Sequence, residues 1–295
     1  MLMQKNGIYD YEPRRRAVQR PGAAGFLLLT ALLLFIWQTG FGFFAPPNDK
    51  PEGGGGVLWE PADESAWPRQ FTADKAGVER WREYRQELAA AAAEVKVAVY
   101  STHSSETYTA YSGAPKVYGE KGGVYAASAA LAERLIAGGV GVVVDETVHD
   151  WPDWNKSYAN SLKTAEYLME TYPNLQLLID MHRDAGVGRE SSYTMINGRA
   201  AAKIMLVCGS DKRYTHPNWR ENQALMQRIA DKTEEMYPGL LRRLSVQAGR
   251  YNQHVSPQAI LVEMGTTENT IEEVEYSAAL LADVLLVVLA EENAT

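Results

Sequence analysis

Four side chains in this sequence have the type and the setting for metal chemistry: His103, Glu106, His182 and Glu263. His103 and Glu106 lie just past the apolar run 95–100. His182 stands just past the run 175–180, and Glu263 directly follows Ile260, Leu261 and Val262. Ligands of α/β sheets bind in the crevice outside the carboxyl ends of the strands. Imidazole nitrogen and carboxylate oxygen are zinc donors, and a catalytic zinc takes three protein ligands while keeping a position for water. A further carboxylate beside that water serves as general base.

Taken singly, each histidine reads more readily as a hydrogen-bonded loop residue than as a ligand. Glu263 is harder to set aside, because a carboxylate that ends an apolar strand needs a partner to be buried. Together the four point to a mononuclear zinc hydrolase, with His103, Glu106 and His182 as ligands and Glu263 as the base. Glu106 follows His103 by three residues, so one turn presents both to a single ion, whereas Glu263 arrives from another strand. Two matters stay open at this point. Glu146, at the end of the run 140–145, is a rival for the third ligand position but reads more readily as a surface carboxylate, and the ligand and base roles can be exchanged between glutamates. Asp180 and Asp184 flank His182 and are placed to orient its ring; they read equally as a strand-end cap and a surface ion pair. His149, His216 and His254 sit in polar stretches and read as bystanders.

Positioning these groups takes a sheet. Apolar, β-branched runs predict strands over 95–100, 140–145, 175–180, 244–247 and 259–262. The run 140–145 is continuous, the mark of a strand buried on both faces. Asn197-Gly198 predicts a hairpin turn between strands at 193–196 and 202–208. Helical patterns cover 126–137, 158–172, 218–237 and 271–289, the first closed by Gly138-Gly139. The alternation implies an α/β fold: a twisted, largely parallel sheet flanked by helices and carrying a hairpin. The last helix is interrupted by Glu275 and Asp283 and reads as core-packing rather than membrane-spanning.

Ahead of this domain, residues 22–45 carry no charge, and Arg14, Arg15, Arg16 and Arg20 precede them. About 20 apolar residues span a bilayer, and flanking arginines stay on the cytoplasmic side. The reading is a cytoplasmic tail over 1–21, a retained transmembrane helix over 22–45, and an exported remainder. Bulky aromatics at Phe41, Phe43 and Phe44 replace the small residues of a signal-peptidase site. A Pro- and Gly-rich linker fills 46–76, and the catalytic domain runs over 77–295, led in by a helix from 77 to 93. The formal net charge of -8 argues against a nucleic-acid partner. The single cysteine, Cys208, lies in an apolar run, reads as a packing residue and rules out an intramolecular disulfide.

Several runs carry a pattern: Tyr100-Ser101-Thr102-His103-Ser104-Ser105-Glu106; Asp180-Met181-His182-Arg183-Asp184; Ile196-Asn197-Gly198; Arg250-Tyr251-Asn252-Gln253; and Ser256-Pro257 leading to Glu263-Met264-Gly265 and Asn269-Thr270. Over residues 95–290 these resemble the stage II sporulation protein P family. The resemblance implies a zinc amidase-like fold with a Zn2+ cofactor. It implies an N-acetylmuramoyl-L-alanine amidase that cleaves peptidoglycan between N-acetylmuramic acid and the stem peptide, with an endopeptidase activity on cross-links. Its implied setting is septal wall thinning and engulfment during sporulation, at the cell membrane with the catalytic domain outside. Arg183 and Asn252, inside the matched runs, are implied to support the ligands or touch substrate, as are Asp180 and Asp184. Stage II sporulation proteins D and M are the implied partners. Two other readings fit the residues: a metal-free, membrane-tethered peptidoglycan-binding scaffold, and a zinc peptidase acting on another exported substrate.

Overall fold

The aliphatic runs assemble into one six-stranded sheet, seen in a computed structural model that describes residues 94–292. The strands in chain order are β1 (Val95–Tyr100), β2 (Gly141–Val144), β3 (Leu177–Asp184), β4 (Tyr193–Ile196), β5 (Arg199–Ala202), β6 (Ile204–Cys208), β7 (Leu241–Val246) and β8 (Ala259–Thr266). The helices are α1 (Thr109–Ser112), α2 (Val124–Ala137), α3 (Ser157–Thr171), α4 (Arg189–Ser192), α5 (Trp219–Met236) and α6 (Ile271–Glu292). The expected tail, membrane span, linker and lead-in helix to residue 93 lie outside the described residues. Among the described residues no helix is long and apolar enough to cross a membrane.

The sheet order is β2-β1-β3-β8-β6-β7. All neighbours run parallel except β6 against β8. The largely parallel sheet is therefore as expected, with one reversal near its middle. β4 and β5 pair only with each other. The expected hairpin is present at Asn197-Gly198, but its return strand ends at Ala202 and a separate strand begins at Ile204.

Side chains alternate across a strand, and the two faces here are covered unequally. On one face Val97, Ile179, Leu206 and Val262 pack against α2, α5 and α6 in the main core. The α2 stripe Val124, Leu131 and Leu135 and the α5 stripe Leu225, Met226 and Ile229 recur at helical spacing on the buried side. Truncating a fully buried leucine such as Leu131 to Ala costs about 2–5 kcal/mol. On the other face α3 lays Ala165 and Leu168 over Ala98, Tyr100 and Leu178. Beyond it Met205, Val207 and Leu261 form a small cluster capped by Tyr251. No described helix contributes to that cluster.

Two expectations need correction. β2 is not buried on both faces: it is the sheet's edge strand and every residue in it is half-exposed. Continuous apolar sequence reflects packing of its aliphatic side chains against the core from the edge. β3 and β8 also run further than expected, to Asp184 and Thr266. His182 and Glu263 are thus ladder residues held by sheet hydrogen bonds, not loop residues after the strand.

Candidate metal and catalytic site

His182 and Glu263 face each other directly across the parallel β3–β8 pair. A Cβ at Gly265 would lie 2.7 Å from Asn269 Oδ1 and 3.0 Å from Ala202 Cβ, and its φ is +72°. Only glycine takes that conformation without strain. Asn269 in turn accepts from Thr266 N at 2.8 Å, which fixes the end of β8 just beyond Glu263.

His103 and Glu106 come from the loop after β1, and its hydroxyl-rich sequence explains its shape. Ser105 donates from N and Oγ to Asp150 at 2.9 and 2.7 Å. Ser104 Oγ donates to Ser101 O at 3.0 Å, and Glu106 N donates to His103 O at 3.0 Å. The loop is buried, so these bonds replace those lost to water. Gly122 packs against it so closely that a Cβ there would sit 2.0 Å from the Glu106 carbonyl oxygen.

These segments bring all four predicted residues to one groove of about 390 Å³, which opens on the sheet face beside α3. His103 stacks on Trp154 at 3.9 Å between ring centroids and stands edge-on to His182 at 5.1 Å. Lys116 caps the far side of Trp154, its Nζ 3.0 Å from the ring centre. His182 Nδ1 lies 3.6 Å from Glu106 Oε2, and its Nε2 lies 3.0 Å from Asp180 Oδ1, though in a geometry that makes no hydrogen bond. Asp180 is itself tied to Thr102, accepting from N at 2.8 Å and from Oγ1 at 2.6 Å. It therefore couples the His103 loop to the His182 strand.

Burial sets the electrostatics. It lowers the His103 pKa to about 4, helped by neighbouring His182. For His182 burial opposes charge, but Asp180 and Glu106 outweigh it and hold the ring's proton affinity above normal. For Glu106 burial is again outweighed, here by His182 and Arg183, and its carboxyl is held below the usual range. Glu263 has no such support: burial raises its pKa to about 7, against the attraction of His182 and with the repulsion of Glu106.

The other predicted residues take supporting places. Arg183 donates from N to Glu106 at 3.2 Å, from Nε to Thr107 O at 2.8 Å and from Nη2 to Pro115 O at 2.5 Å, so its guanidinium braces the loop. Asp184 pairs with Arg242 at the groove's edge. Asn252, in the left-handed region at φ +54°, donates to Tyr158 O at 2.9 Å and Ser161 Oγ at 3.1 Å. It does not line the groove; it anchors the loop that carries Tyr251 into it. Glu146 is exposed and paired with Lys121 on the surface, away from this groove. His149 bonds Ser101 O and Thr164 Oγ1, both at 2.8 Å, and is built into the scaffold. His216 and His254 lie 6.4 Å apart between ring centres and line no part of this groove. The sequence reading gave no site role to Trp154, Tyr158, Met205, Arg243 or Tyr251, although the last lies in a matched run. None stands in a motif that a single strand or helix pattern would expose.

Among the described residues no group of three or more His, Cys, Asp or Glu side chains is arranged, as placed, to hold a metal ion. The donor set still fits zinc in its chemistry. His103 Nδ1, His182 Nε2 and Glu263 Oε2 are buried without hydrogen-bond partners, and each such group costs about 1–3 kcal/mol. Two imidazoles and two carboxylates around one groove are zinc donors with a spare carboxylate.

The site and the sheet together define an α/β protein with a histidine–glutamate centre. The family model described as Stage II sporulation protein P (SpoIIP) matches residues 60–286, and the chain belongs to that family. The stage II sporulation protein P of Bacillus subtilis (strain 168) is 27% identical over 208 residues, 64% of this chain. The chain spans about half the length of that relative, 49%. Among solved structures, the N-acetylmuramoyl-L-alanine amidase AmiC2 of Nostoc punctiforme is 13% identical, with 68% of this chain and 98% of that one covered and a TM-score of 0.42. The CwlD amidase of Clostridioides difficile, solved with the GerS lipoprotein, is 14% identical, with 66% and 97% covered and a TM-score of 0.45. These two likenesses are partial, and the assignment rests on the family match.

Proposed function

We propose that this protein is a peptidoglycan hydrolase of sporulation, a zinc-dependent N-acetylmuramoyl-L-alanine amidase. The observation that carries the reading is the convergence of His103, Glu106, His182 and Glu263, with three orphaned buried atoms, on one groove. Family membership supports the substrate class and the sporulation setting.

In this reading His103, His182 and Glu106 hold the zinc. Once bound, the ion supplies Lewis-acid polarisation of the amide carbonyl and a more acidic water. Glu263 takes the proton of the attacking water and returns it to the leaving amine, a task suited to a carboxylate that lines the groove beside the histidines. Asp180 holds Thr102 on the His103 loop and sits on the same strand as His182, and so keeps the two histidines in register. Arg183 keeps Glu106 ionised and in place. The stacked Trp154 holds the His103 ring edge-on to His182 and shields it from water.

The apolar, arginine-preceded stretch 22–45 supports a membrane-anchored protein with its catalytic domain outside the cell. Stage II sporulation proteins D and M as partners, and an endopeptidase activity on cross-links, belong to the same proposal by resemblance. The deciding experiment digests purified peptidoglycan with the zinc-loaded chain and reads the products by mass. Release of intact stem peptides with a free L-alanine amine supports the amidase. Cleavage only within peptides would make it a zinc peptidase. One observation favours a metal-free scaffold instead: no described trio is set to hold an ion as placed. Wall binding without stoichiometric zinc or turnover would establish that reading.

A further inference from the structure

A row of paired residues crosses four adjacent strands of the sheet. His182 on β3 is opposite Glu263 on β8, Glu263 is opposite Met205 on β6, and Met205 is opposite Arg243 on β7. Partners in a ladder project to the same face, and all four line the same groove. The row starts at the histidine–glutamate centre and ends at a guanidinium. Between them the floor is apolar, made by Met205, Val207 and Leu261.

Arg243 differs from the other arginine that lines this groove, Arg183, and from its chain neighbour Arg242. Arg183 faces Glu106, and Arg242 pairs with Asp184. Among the described residues Arg243 makes no ion pair; its one hydrogen-bond contact is from Nε to the Met205 thioether at 3.1 Å. A thioether is a weak acceptor, so that contact orients the side chain across the groove without neutralising it. The guanidinium is exposed and its fork is open to a carboxylate, the group it matches in a bidentate geometry. Gln247 also lines the groove, its amide donating to Ser245 Oγ at 2.7 Å.

Spacing says which carboxylate. Neighbouring strands lie about 4.7–4.9 Å apart, so the backbone at Arg243 stands roughly 10 Å from that at Glu263. An extended peptide covers about 3.3–3.6 Å per residue, and the arginine stem shortens the gap on its own side. We propose that Arg243 is a specificity residue that binds the free α-carboxylate of the second residue of the stem peptide, while the amide ahead of the first residue lies at Glu263. The proposal rests on the amidase reading of the same site. It adds that the substrate is laid along the row across the strands, peptide toward β7.

The test uses two soluble N-acetylmuramoyl dipeptides that differ only in bearing a free α-carboxylate or a carboxamide on the second residue. Binding is measured by calorimetry on the full-length chain carrying Glu263→Gln, so that nothing is consumed, and cleavage is measured on the chain with Glu263 intact. The acid should bind at least tenfold more tightly than the carboxamide. Arg243→Gln should abolish that preference, and Arg243→Lys should restore part of it. In turnover, Arg243→Gln should raise KM for the acid with kcat nearly unchanged and leave the carboxamide unaffected. Equal binding of the two ligands, no detectable binding of either, or a preference that survives Arg243→Gln would overturn the proposal. The amidase reading fails separately: an Arg243-dependent preference for the acid with no cleavage of either ligand would retain the carboxylate site and discard the amidase.

Discussion

Replacing Glu263 with Gln should make the metal-free chain more stable while removing its turnover. The side chain is a carboxylate with one oxygen buried and unpartnered, near a second carboxylate, Glu106. Its pKa is raised from an ordinary 4.5 to about 7. Each tenfold change in proton affinity is worth about 1.4 kcal/mol, so full ionisation in the folded chain costs about 3 kcal/mol. The sign follows from proton counting. Between pH 4.5 and about 7 the folded chain keeps a proton that the unfolded chain has released. Stability therefore falls as pH rises through that window, and the penalty is complete above it. Gln has the same shape and no charge. The variant should match the wild type near pH 4.5 and exceed it by about 2–3 kcal/mol at pH 8. Urea unfolding of the full-length chain in detergent with a chelator, at both pH values, reads this difference. Adding zinc should then stabilise both proteins, since a ligand of the folded state adds RT ln(1 + [L]/Kd). A variant equal to or weaker than the wild type at pH 8 would mean that the Glu263 carboxylate has a stabilising partner, and the argument for its role as base would fail.

Alanine at His103, His182 or Glu106 should remove stoichiometric zinc as read by elemental analysis, and with it all turnover; zinc retained in the Glu106 variant, but lost in Glu263→Gln, would exchange the two glutamates. Asp180→Ala strands the Thr102 N–H in the interior and leaves the Thr102 hydroxyl only Ser161, and should cost about 1–3 kcal/mol in unfolding, whereas Asp180→Asn keeps one acceptor and should cost clearly less; equal costs would show that Thr102 is not what Asp180 holds. Glu273 is bound by Arg189 at 2.6 Å and Asn269 at 2.8 Å, and these outweigh its burial to hold its pKa below normal. Its stabilising effect is present above the ordinary carboxyl pKa and lost as pH falls through the lowered one, so Glu273→Gln should cost about 1.5–3 kcal/mol at pH 7 and progressively less in acid. Protease added to intact protoplasts should remove the catalytic domain and leave an anchored stub; full protection would reverse the proposed orientation.

The sheet was legible where side-chain period and length agreed. The run 95–100 and the helices over 158–172 and 218–237 stand within a residue of their predicted bounds, because apolar spacing alone decides them. Strand ends were not legible. Asp180, His182 and Asp184 share one face of β3, and their polarity reads as a strand terminus unless the groove lined by His182 and Asp184, and the Thr102 loop held by Asp180, are known. Glu263 misleads in the same way. The hairpin's detachment depends on Lys203 bonding Ser192 instead of continuing a strand, a long-range choice that no local pattern encodes. At the site, the four chemistry-bearing residues could be found from type and position. Their aromatic and basic surroundings could not, because Met205 and Arg243 meet them only through the order β3-β8-β6-β7, and Trp154 meets His103 only where the loops after β1 and β2 come together. The single antiparallel junction is what sets Arg243 on the same row as Glu263, and sequence gives no sign of it.

The sheet face left uncovered by any described helix beside α3 has a kinetic consequence. A deep pocket closed by a lid selects among molecules that diffuse to it. A cross-linked polymer sheet does not diffuse, and a groove laid open on a flat face meets it broadside. Under the membrane tethering proposed above, encounter with such a face is a search in two dimensions. Its rate scales with the number of protein molecules per unit area of membrane and with tether reach, rather than with molar affinity. Crowding such chains into a narrow zone would therefore concentrate cutting there, with no change at the catalytic centre.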